Sequence, residues 1–265
     1  MLISLLIFLC CGAIVGVLAG LLGVGGGTVI VPMLLAVFPY DGVPAQYCQQ
    51  LALGTSLASI MFTSVASARA HHKRGAVNWD IFMRITPGIL VGTFAGGLIA
   101  THLPTMFLKI FFICFLIAIS CQMFANYRPP ASRHMPGALG TASAGGVIGM
   151  VSSFVGIGGG SLSVPFMSFC GIDIHKAVGT SAAIGFPIAV AGALGYIVGG
   201  WGRPDLPPMT LGFVHLWALL GIAGASWITA PLGVRLSHAL PTKKLKRVFA
   251  VFLLFVALKM AWDLI

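Results

Sequence analysis

GVLAGLLGVGGGTVIVPM, which runs from Gly16 to Met33, returns in the second half of the chain as GMVSSFVGIGGGSLSVPFM, which begins at Gly149. Each copy has three consecutive glycines, then a hydroxyl residue, and a proline four positions further on. An interior glycine destabilises a helix by about 1 kcal/mol relative to alanine, so a helix should break at each cluster. The sequence therefore predicts two broken helices at equivalent places in a duplicated chain.

The duplication extends to the rest of the chain. ALGTS at 52–56 matches AVGTS at 177–181, and LPT at 103–105 matches LPT at 240–242. Each half contains four apolar stretches in the same order, and a membrane span needs about 20 such residues. The stretches lie near 2–38, 48–69, 81–101, 105–125, 137–170, 177–199, 211–234 and 244–264. We therefore predict an all-α polytopic membrane protein with a first repeat at 1–125, a linker at 126–136 and a second repeat at 137–265.

The composition excludes the common soluble classes. Of the 265 residues 58% are hydrophobic and 8% are charged, whereas soluble domains carry about 25% charged residues. The net charge of +10 does not indicate nucleic acid, because the chain has little soluble surface on which to build a basic face. The six cysteines form no C-x-x-C pair and no histidine stands at metal-ligand spacing, so we expect neither a metal nor a cofactor.

The basic residues predict the topology, because cytoplasmic loops carry an excess of Lys and Arg. If all eight stretches cross once, the 15 basic residues divide almost equally between the two sides. If each glycine-broken stretch enters and returns, three lie on one side (Lys109, Arg203 and Lys259). Twelve then share the other side: Arg69, Lys73, Arg74, Arg84, Arg128, Arg133, Lys176, Arg235, Lys243, Lys244, Lys246 and Arg247. This asymmetry predicts two inverted repeats with both termini outside the cell.

The glycine clusters are candidate anion sites. Non-helical backbone at membrane depth is tolerated only inside protein or beside a water-filled cavity, and the free amides at a helix N-terminus attract anions. We expect Thr28 and Ser161 to be the N-cap residues of the half-helices that follow. The candidate substrate-binding residues are Gly25, Gly26, Gly27, Thr28, Gly158, Gly159, Gly160 and Ser161, with Thr55, Ser56, Thr180 and Ser181 as secondary candidates.

Other interpretations of these residues stay open. Glycines also permit close packing of membrane helices, and Ser or Thr hydroxyls can bond to the backbone of their own helix. A nucleotide-binding loop is not indicated, since G-x-G-G-G-T lacks the lysine of a P-loop. An intramembrane enzyme that uses Ser226, Cys48 or Cys170 is a further alternative with less support, and we expect no enzymatic activity.

The paired motifs resemble the TauE/SafE family of sulfite exporters, also called the TSUP family. The resemblance rests on GLLGVGGGTVIVPML and SFVGIGGGSLSVPFM, each followed by ALGTS or AVGTS, and on the loop HHKRGAVNWD and the LPT turns. It covers essentially the whole chain. It implies a small multi-pass protein of the bacterial inner membrane that moves sulfite or organosulfonates such as sulfoacetate, usually outward, with the glycine clusters as the site.

The expected mechanism is alternating access with the anion held at the paired half-helix N-termini. All five acids are Asp, and they lie in loops or at the ends of apolar stretches, whereas proton-coupled carriers usually place a carboxylate in the membrane. Export of an anion from a cell that is negative inside is downhill and needs no coupled ion. The main alternative is an anion channel with a glycine-lined pore. The expected partners are a small anion and the lipid bilayer, and a homodimer stays open.

Overall fold

The computed structural model is built almost entirely from helices. It describes residues 2–22, 26–125, 135–239 and 242–264. Within these ranges there are ten helices and one short hairpin, whose strands are β1 (Thr210–Leu211) and β2 (Val214–His215). The helices are α1 (Leu2–Leu22), α2 (Gly27–Val37), α3 (Cys48–Lys73), α4 (Trp79–His102), α5 (Thr105–Ala125), α6 (Ala138–Val155), α7 (Gly160–Phe169), α8 (Ile174–Gly200), α9 (Leu216–Ala239) and α10 (Thr242–Trp262).

Membrane-length helices confirm the prediction of a polytopic α-helical membrane protein. Five of the described helices are long and apolar enough to cross a bilayer, namely α3, α4, α5, α6 and α8. The apolar stretches near 2–38 and 137–170 are each divided between two helices, α1 and α2 in the first half and α6 and α7 in the second. The linker lies mostly outside the described residues.

The start of each half-helix differs from the prediction. Gly26 is the N-cap of α2 and Gly159 is the N-cap of α7, and neither helix has a side-chain cap hydrogen bond. The expectation that Thr28 and Ser161 are the N-caps is therefore wrong. Each helix begins at the last glycine of its cluster, so both hydroxyl residues occupy the second helical position instead.

Glycines allow the two most extensive helix pairs to pack backbone against backbone. The pairs are α1 with α9 and α4 with α6, so the packing partners exchange between the two halves. A Cβ on Gly12 would lie 2.7 Å from the Cα of Ile222, and a Cβ on Gly92 would overlap the carbonyl of Gly146. Without a hydrophobic driving force between helices in lipid, such close van der Waals contact is a main source of helix association.

The central helices α3 and α8 run in opposite directions. Near the start of α3, Gly54 contacts Tyr196 late in α8, whereas Ser64 further along α3 contacts Gly185 earlier in α8. Helices α5 and α10 also pack together, and the hydroxyl of Ser120 in α5 donates a hydrogen bond to the carbonyl of residue 250 in α10. Each of these pairs joins helices that occupy equivalent positions in the two halves of the sequence.

The hairpin before α9 was not predicted from the apolar stretch near 211–234. Its strands pair Thr210 with His215 and Leu211 with Val214, and Gly212 makes the turn with a φ of 53°. The hairpin delivers Phe213 and His215, both buried, to the side of α3. It therefore sets where α9 begins relative to the central helices.

Candidate functional site

The start of α2 lies directly against the glycine break of the other repeat. A Cβ on Gly27 would overlap the carbonyl oxygen of Gly156 and would lie 2.9 Å from the Cα of Ile157 and from the Cδ1 of Ile60. Gly26, the N-cap, has a φ of 75°, which favours glycine. Residue 27 must therefore lack a side chain for the two breaks to meet.

The start of α7 packs against α8 and against the Ser163 side chain of its own first turn. A Cβ on Gly159 would lie 3.0 Å from the carbonyl oxygen of Ser181, 3.1 Å from the Cγ2 of Ile184 and 3.3 Å from the Oγ of Ser163. Gly158 lies in the segment between α6 and α7, and Gly160 is the first residue of α7. The second break is thus also enclosed, though less tightly than the first.

Each half-helix begins beside the middle of a neighbouring membrane-length helix. Ile60, which borders Gly27, lies twelve residues after the start of the 26-residue α3. Gly185, whose Cβ would lie 3.9 Å from the backbone nitrogen of Gly159, lies eleven residues after the start of the 27-residue α8. At a rise of about 1.5 Å per residue, each start is roughly 17 Å from an end of its neighbouring helix.

Three buried hydroxyls at these starts have no hydrogen-bond partner among the described residues. They are the Oγ1 of Thr28 and the Oγ atoms of Ser161 and Ser163. Thr28 is 1% exposed, Ser161 9% and Ser163 0%. A buried polar group without a partner destabilises a protein by about 1–3 kcal/mol, so each such group calls for an explanation, such as a bound water, ion or ligand.

The two Gly-Thr-Ser motifs bind the segments that lead into α9 and α4. The Oγ1 of Thr55 accepts a hydrogen bond from the backbone N–H of His215 at 2.9 Å, and the Oγ1 of Thr180 accepts one from that of Asn78 at 2.8 Å. The glycine before each threonine allows a close approach of the carbonyl oxygen of residue 213 or residue 76. Both threonines are fully buried, and the same contact is made once in each half.

Asn78 and His215 complete these contacts as helix caps. The Oδ1 of Asn78 accepts a hydrogen bond from the N–H of Ile81 in α4, and the Nδ1 of His215 accepts one from the N–H of Ala218 in α9. The ring of His215 packs between Phe8 and the aromatic ring of residue 38. The histidine is therefore a packed capping residue in this structure.

The serines of the two motifs lie next to the breaks. The Oγ of Ser56 donates a hydrogen bond to the carbonyl of Gly156 at 2.7 Å. The Oγ of Ser181 donates to the carbonyl of Val178 in its own helix at 3.2 Å, while its carbonyl oxygen borders Gly159. Ser56 thus joins α3 to the break of the second repeat.

Most of the sequence-predicted site residues come together around the two breaks. The exceptions are Thr55 and Thr180, which bind the α9 and α4 entries, and Gly25, which lies outside the described residues. Ser163, which is also buried at the start of α7, was not predicted from the sequence. Its position could have been predicted from helix periodicity. Residues three and four apart share a helix face, and Ser163 lies four positions after Gly159.

A cavity lies away from the glycine breaks, near the end of α2. It has a volume of about 180 Å³ and is lined mainly by apolar side chains, with Cys48, Lys109 and Asp263 as its polar lining. Among the described residues no group of three or more His, Cys, Asp or Glu side chains could hold a metal ion. We take the glycine breaks as the candidate site because buried hydroxyls without a partner among the described residues lie there.

Comparisons with known proteins agree with a transport function. The family model "Sulfite exporter TauE/SafE" matches residues 8–260. A probable membrane transporter protein of Haemophilus influenzae is 38% identical over 97% of both chains. The probable membrane transporter protein YunE of Bacillus subtilis is 28% identical over 98% of both, and a probable membrane transporter protein of Xylella fastidiosa is 29% identical over 98% of this chain and 95% of the relative. No solved structure matches the chain.

Proposed function

Because this chain belongs to the sulfite exporter TauE/SafE family and is a multi-pass membrane transporter, we propose that it exports small sulfur-containing anions, sulfite or organosulfonates such as sulfoacetate. The anion is held at the paired starts of α2 and α7, and transport proceeds by alternating access between the two repeats. The protein resides in the inner membrane of the cell, with both termini outside.

The directions of the helices support an inverted arrangement of the repeats. Helices α3 and α8 occupy equivalent places in the two halves and run antiparallel, as expected for repeats related by an axis in the membrane plane. The ring of Phe8 in α1 also lies 6.4 Å from that of Phe38 after α2. This contact supports a first broken stretch that starts and ends near the same face, as the distribution of basic residues predicts.

The chemistry of the half-helix starts supports anion binding there. The first four amides of a helix have no intrahelical acceptor, and the helix dipole places positive charge at the same end. The proposed ligands are Gly25, Gly26, Gly27, Thr28, Gly158, Gly159, Gly160 and Ser161. Ser56 and Ser181 border the breaks, and Thr55 and Thr180 fix the helices around them.

The positions of the carboxylates support uncoupled or weakly coupled export. Asp80 lies in the first turn of α4, Asp173 is the N-cap of α8 and Asp263 follows the end of α10. Asp41 and Asp205 lie between helices. The free energy of an anion falls by about 2.3 kcal/mol per charge per 100 mV when it leaves a cell with a negative interior. Export therefore needs no carboxylate to carry a coupling proton.

The proposal rests on one observation: the start of α2 meets the second glycine break at Gly156 in mid-span, and the starts of α2 and α7 carry buried hydroxyls that have no partner among the described residues. The test is binding of sulfite and ethanesulfonate to the purified full chain, followed by flux in liposomes. Replacing Thr28 by Val and Ser161 by Ala together removes both hydroxyls with little change in shape, and should weaken binding at least tenfold.

The matched control is Ser143→Ala, which removes an exposed hydroxyl that donates to the carbonyl of Leu139 in its own helix. It should bind like the wild type. If the wild-type protein binds neither anion, or if the double variant binds both normally, the proposed site is wrong. Flux that strictly requires an imposed proton or sodium gradient would refute uncoupled export.

A channel would use the same glycine-lined backbone and is distinguished by kinetics. A carrier should show saturable exchange of labelled sulfite with trans-stimulation, because each cycle reorients a loaded site. Unitary currents in a planar bilayer would instead identify a channel.

A further inference from the structure

The two half-helix starts share a glycine signature but differ in the side chains around them. Aligning GGGTVIVP at 25–32 with GGGSLSVP at 158–165 pairs Ile30 with Ser163. Aligning ALGTS with AVGTS and continuing one turn pairs Ile60 in α3 with Gly185 in α8. At both positions the first repeat has a branched apolar side chain where the second has a hydroxyl or no side chain.

Both apolar residues lie near the start of α2, Ile60 beside Gly27 and Ile30 in the first turn of the helix. The Cδ1 of Ile60 would lie 2.9 Å from a Cβ on Gly27, and both Ile30 and Ile60 are fully buried. Thr28 contributes a buried hydroxyl here. An oxyanion at this end would lose its water against aliphatic surface, which is unfavourable unless enough hydrogen bonds replace the water.

The start of α7 is more polar. Ser163 is fully buried, and its Oγ lies 3.3 Å from the position of a Cβ on Gly159, so it is turned back toward the helix start. Neither this Oγ nor that of Ser161 has a hydrogen-bond partner among the described residues. The first turn of α7 therefore carries two buried donors beside its free amides.

The start of α7 also faces a glycine of α8, at a position where a small side chain would fit. A Cβ on Gly185 would be in ordinary contact, 3.4 Å from the Cβ of Ser64 and 3.9 Å from the backbone nitrogen of Gly159. A longer side chain on α8 at this position would lie over that nitrogen. Ile184 forms an apolar border, and the glycine keeps a side chain of α8 away from the Gly159 amide.

We infer that the oxyanion group of the cargo binds at the start of α7 rather than midway between the two breaks. The first amides of α7 and the hydroxyls of Ser161 and Ser163 bind its oxygens, while the aliphatic start of α2, with Ile30 and Ile60, faces the less polar part of the cargo. Ser163 is then a binding residue without a counterpart in the first repeat. This inference rests on the proposed anion export.

The test compares single replacements at the two ends in the purified full chain, with sulfite and ethanesulfonate as probes in calorimetric titrations. Ser163→Ala should weaken binding about 10- to 150-fold, the range for losing a hydrogen bond to a charged group. Gly185→Ile, which copies the α3 residue, should abolish binding. Thr28→Val at the α2 end should weaken it less than threefold.

Ser168→Ala is the matched control. It removes a buried hydroxyl that also lacks a partner among the described residues, but at the far end of the same helix, and it should bind like the wild type. Folding is checked by helical circular dichroism and elution volume. If Gly185→Ile does not fold, Gly185→Ala and Ser163→Ala decide the question.

Each outcome has a distinct meaning. Equal weakening by Thr28→Val and Ser163→Ala would place the oxyanion midway and overturn this inference while leaving the proposed function intact. Normal binding by Ser163→Ala would also overturn it. A folded wild-type protein that binds neither probe would instead overturn the proposed function on which the inference rests.

Discussion

Replacing Thr55 by Val should destabilise the protein without a direct effect on anion binding. The hydroxyl of Thr55 accepts the N–H of His215 at 2.9 Å, and the threonine is fully buried. Valine has nearly the same shape, so no cavity forms, but the N–H at the start of α9 loses its acceptor. Leaving a buried donor without a partner costs about 1–3 kcal/mol.

Thr180→Val repeats the experiment in the other half, where the N–H of Asn78 is the donor at 2.8 Å. Since the two contacts involve different segments, the effects should add to about 2–6 kcal/mol in the double variant. The free energy of unfolding, measured by titration with sodium dodecyl sulfate, tests this sum. Thr55→Ser keeps the hydroxyl and should recover most of the loss.

Thr63→Val provides the control within the same helix. Its hydroxyl donates to the carbonyl of Ile60 one turn earlier, so its removal leaves no buried donor behind and should cost about 0.5–1 kcal/mol, less than Thr55→Val. Equal losses for Thr55→Val and Thr63→Val would refute the assigned hydrogen-bonding role. Normal stability with abolished sulfite binding would show that Thr55 is a ligand instead.

Three further predictions follow from contacts elsewhere in the fold. Gly92→Ala should lower the free energy of unfolding by about 1–3 kcal/mol or prevent folding, because its Cβ would overlap the carbonyl of Gly146 across the α4–α6 interface. Gly224→Ala is the control and should fold normally, because its Cβ meets no described atom within 4 Å. The yield of monodisperse protein measures both variants. His215→Ala removes the cap of α9 and should lower the free energy of unfolding by about 1 kcal/mol. His215→Asn copies the cap at residue 78 and should keep that stability. Equal losses for the two variants would exclude a capping role. The guanidinium of Arg203 lies 5.3–5.6 Å from the ring centroids of Phe213 and Tyr47 and donates a hydrogen bond to the carbonyl of Thr101. Arg203→Lys should therefore lower the free energy of unfolding by about 0.5–2 kcal/mol. A melting temperature equal to that of the wild type would contradict this.

Much of the fold could be predicted because its signals are local. Spans near 48–69, 81–101 and 105–125 correspond to α3, α4 and α5 within a few residues, since about 20 consecutive apolar residues suffice to identify a membrane helix. The hairpin at 210–215 could not be predicted in this way, because its strands are two residues long. The half-helix caps were misassigned because glycine and the hydroxyl residues are both good N-caps, and only backbone geometry separates them.

The sequence by itself determined the duplication, the membrane environment, the family and the places where helices break, because each depends on residue types at fixed spacing. The tertiary structure alone decided what the repeated Gly-Thr-Ser motifs contact. It brought Thr55 to His215 and Thr180 to Asn78 across 160 and 102 residues of chain, so that hydroxyls expected beside an anion hold two helices in place. It also distinguished two breaks with the same signature, since Ile60 and Gly185 reach them only through the packing of α3 and α8. Such contacts depend on helix direction and register, which no local pattern specifies.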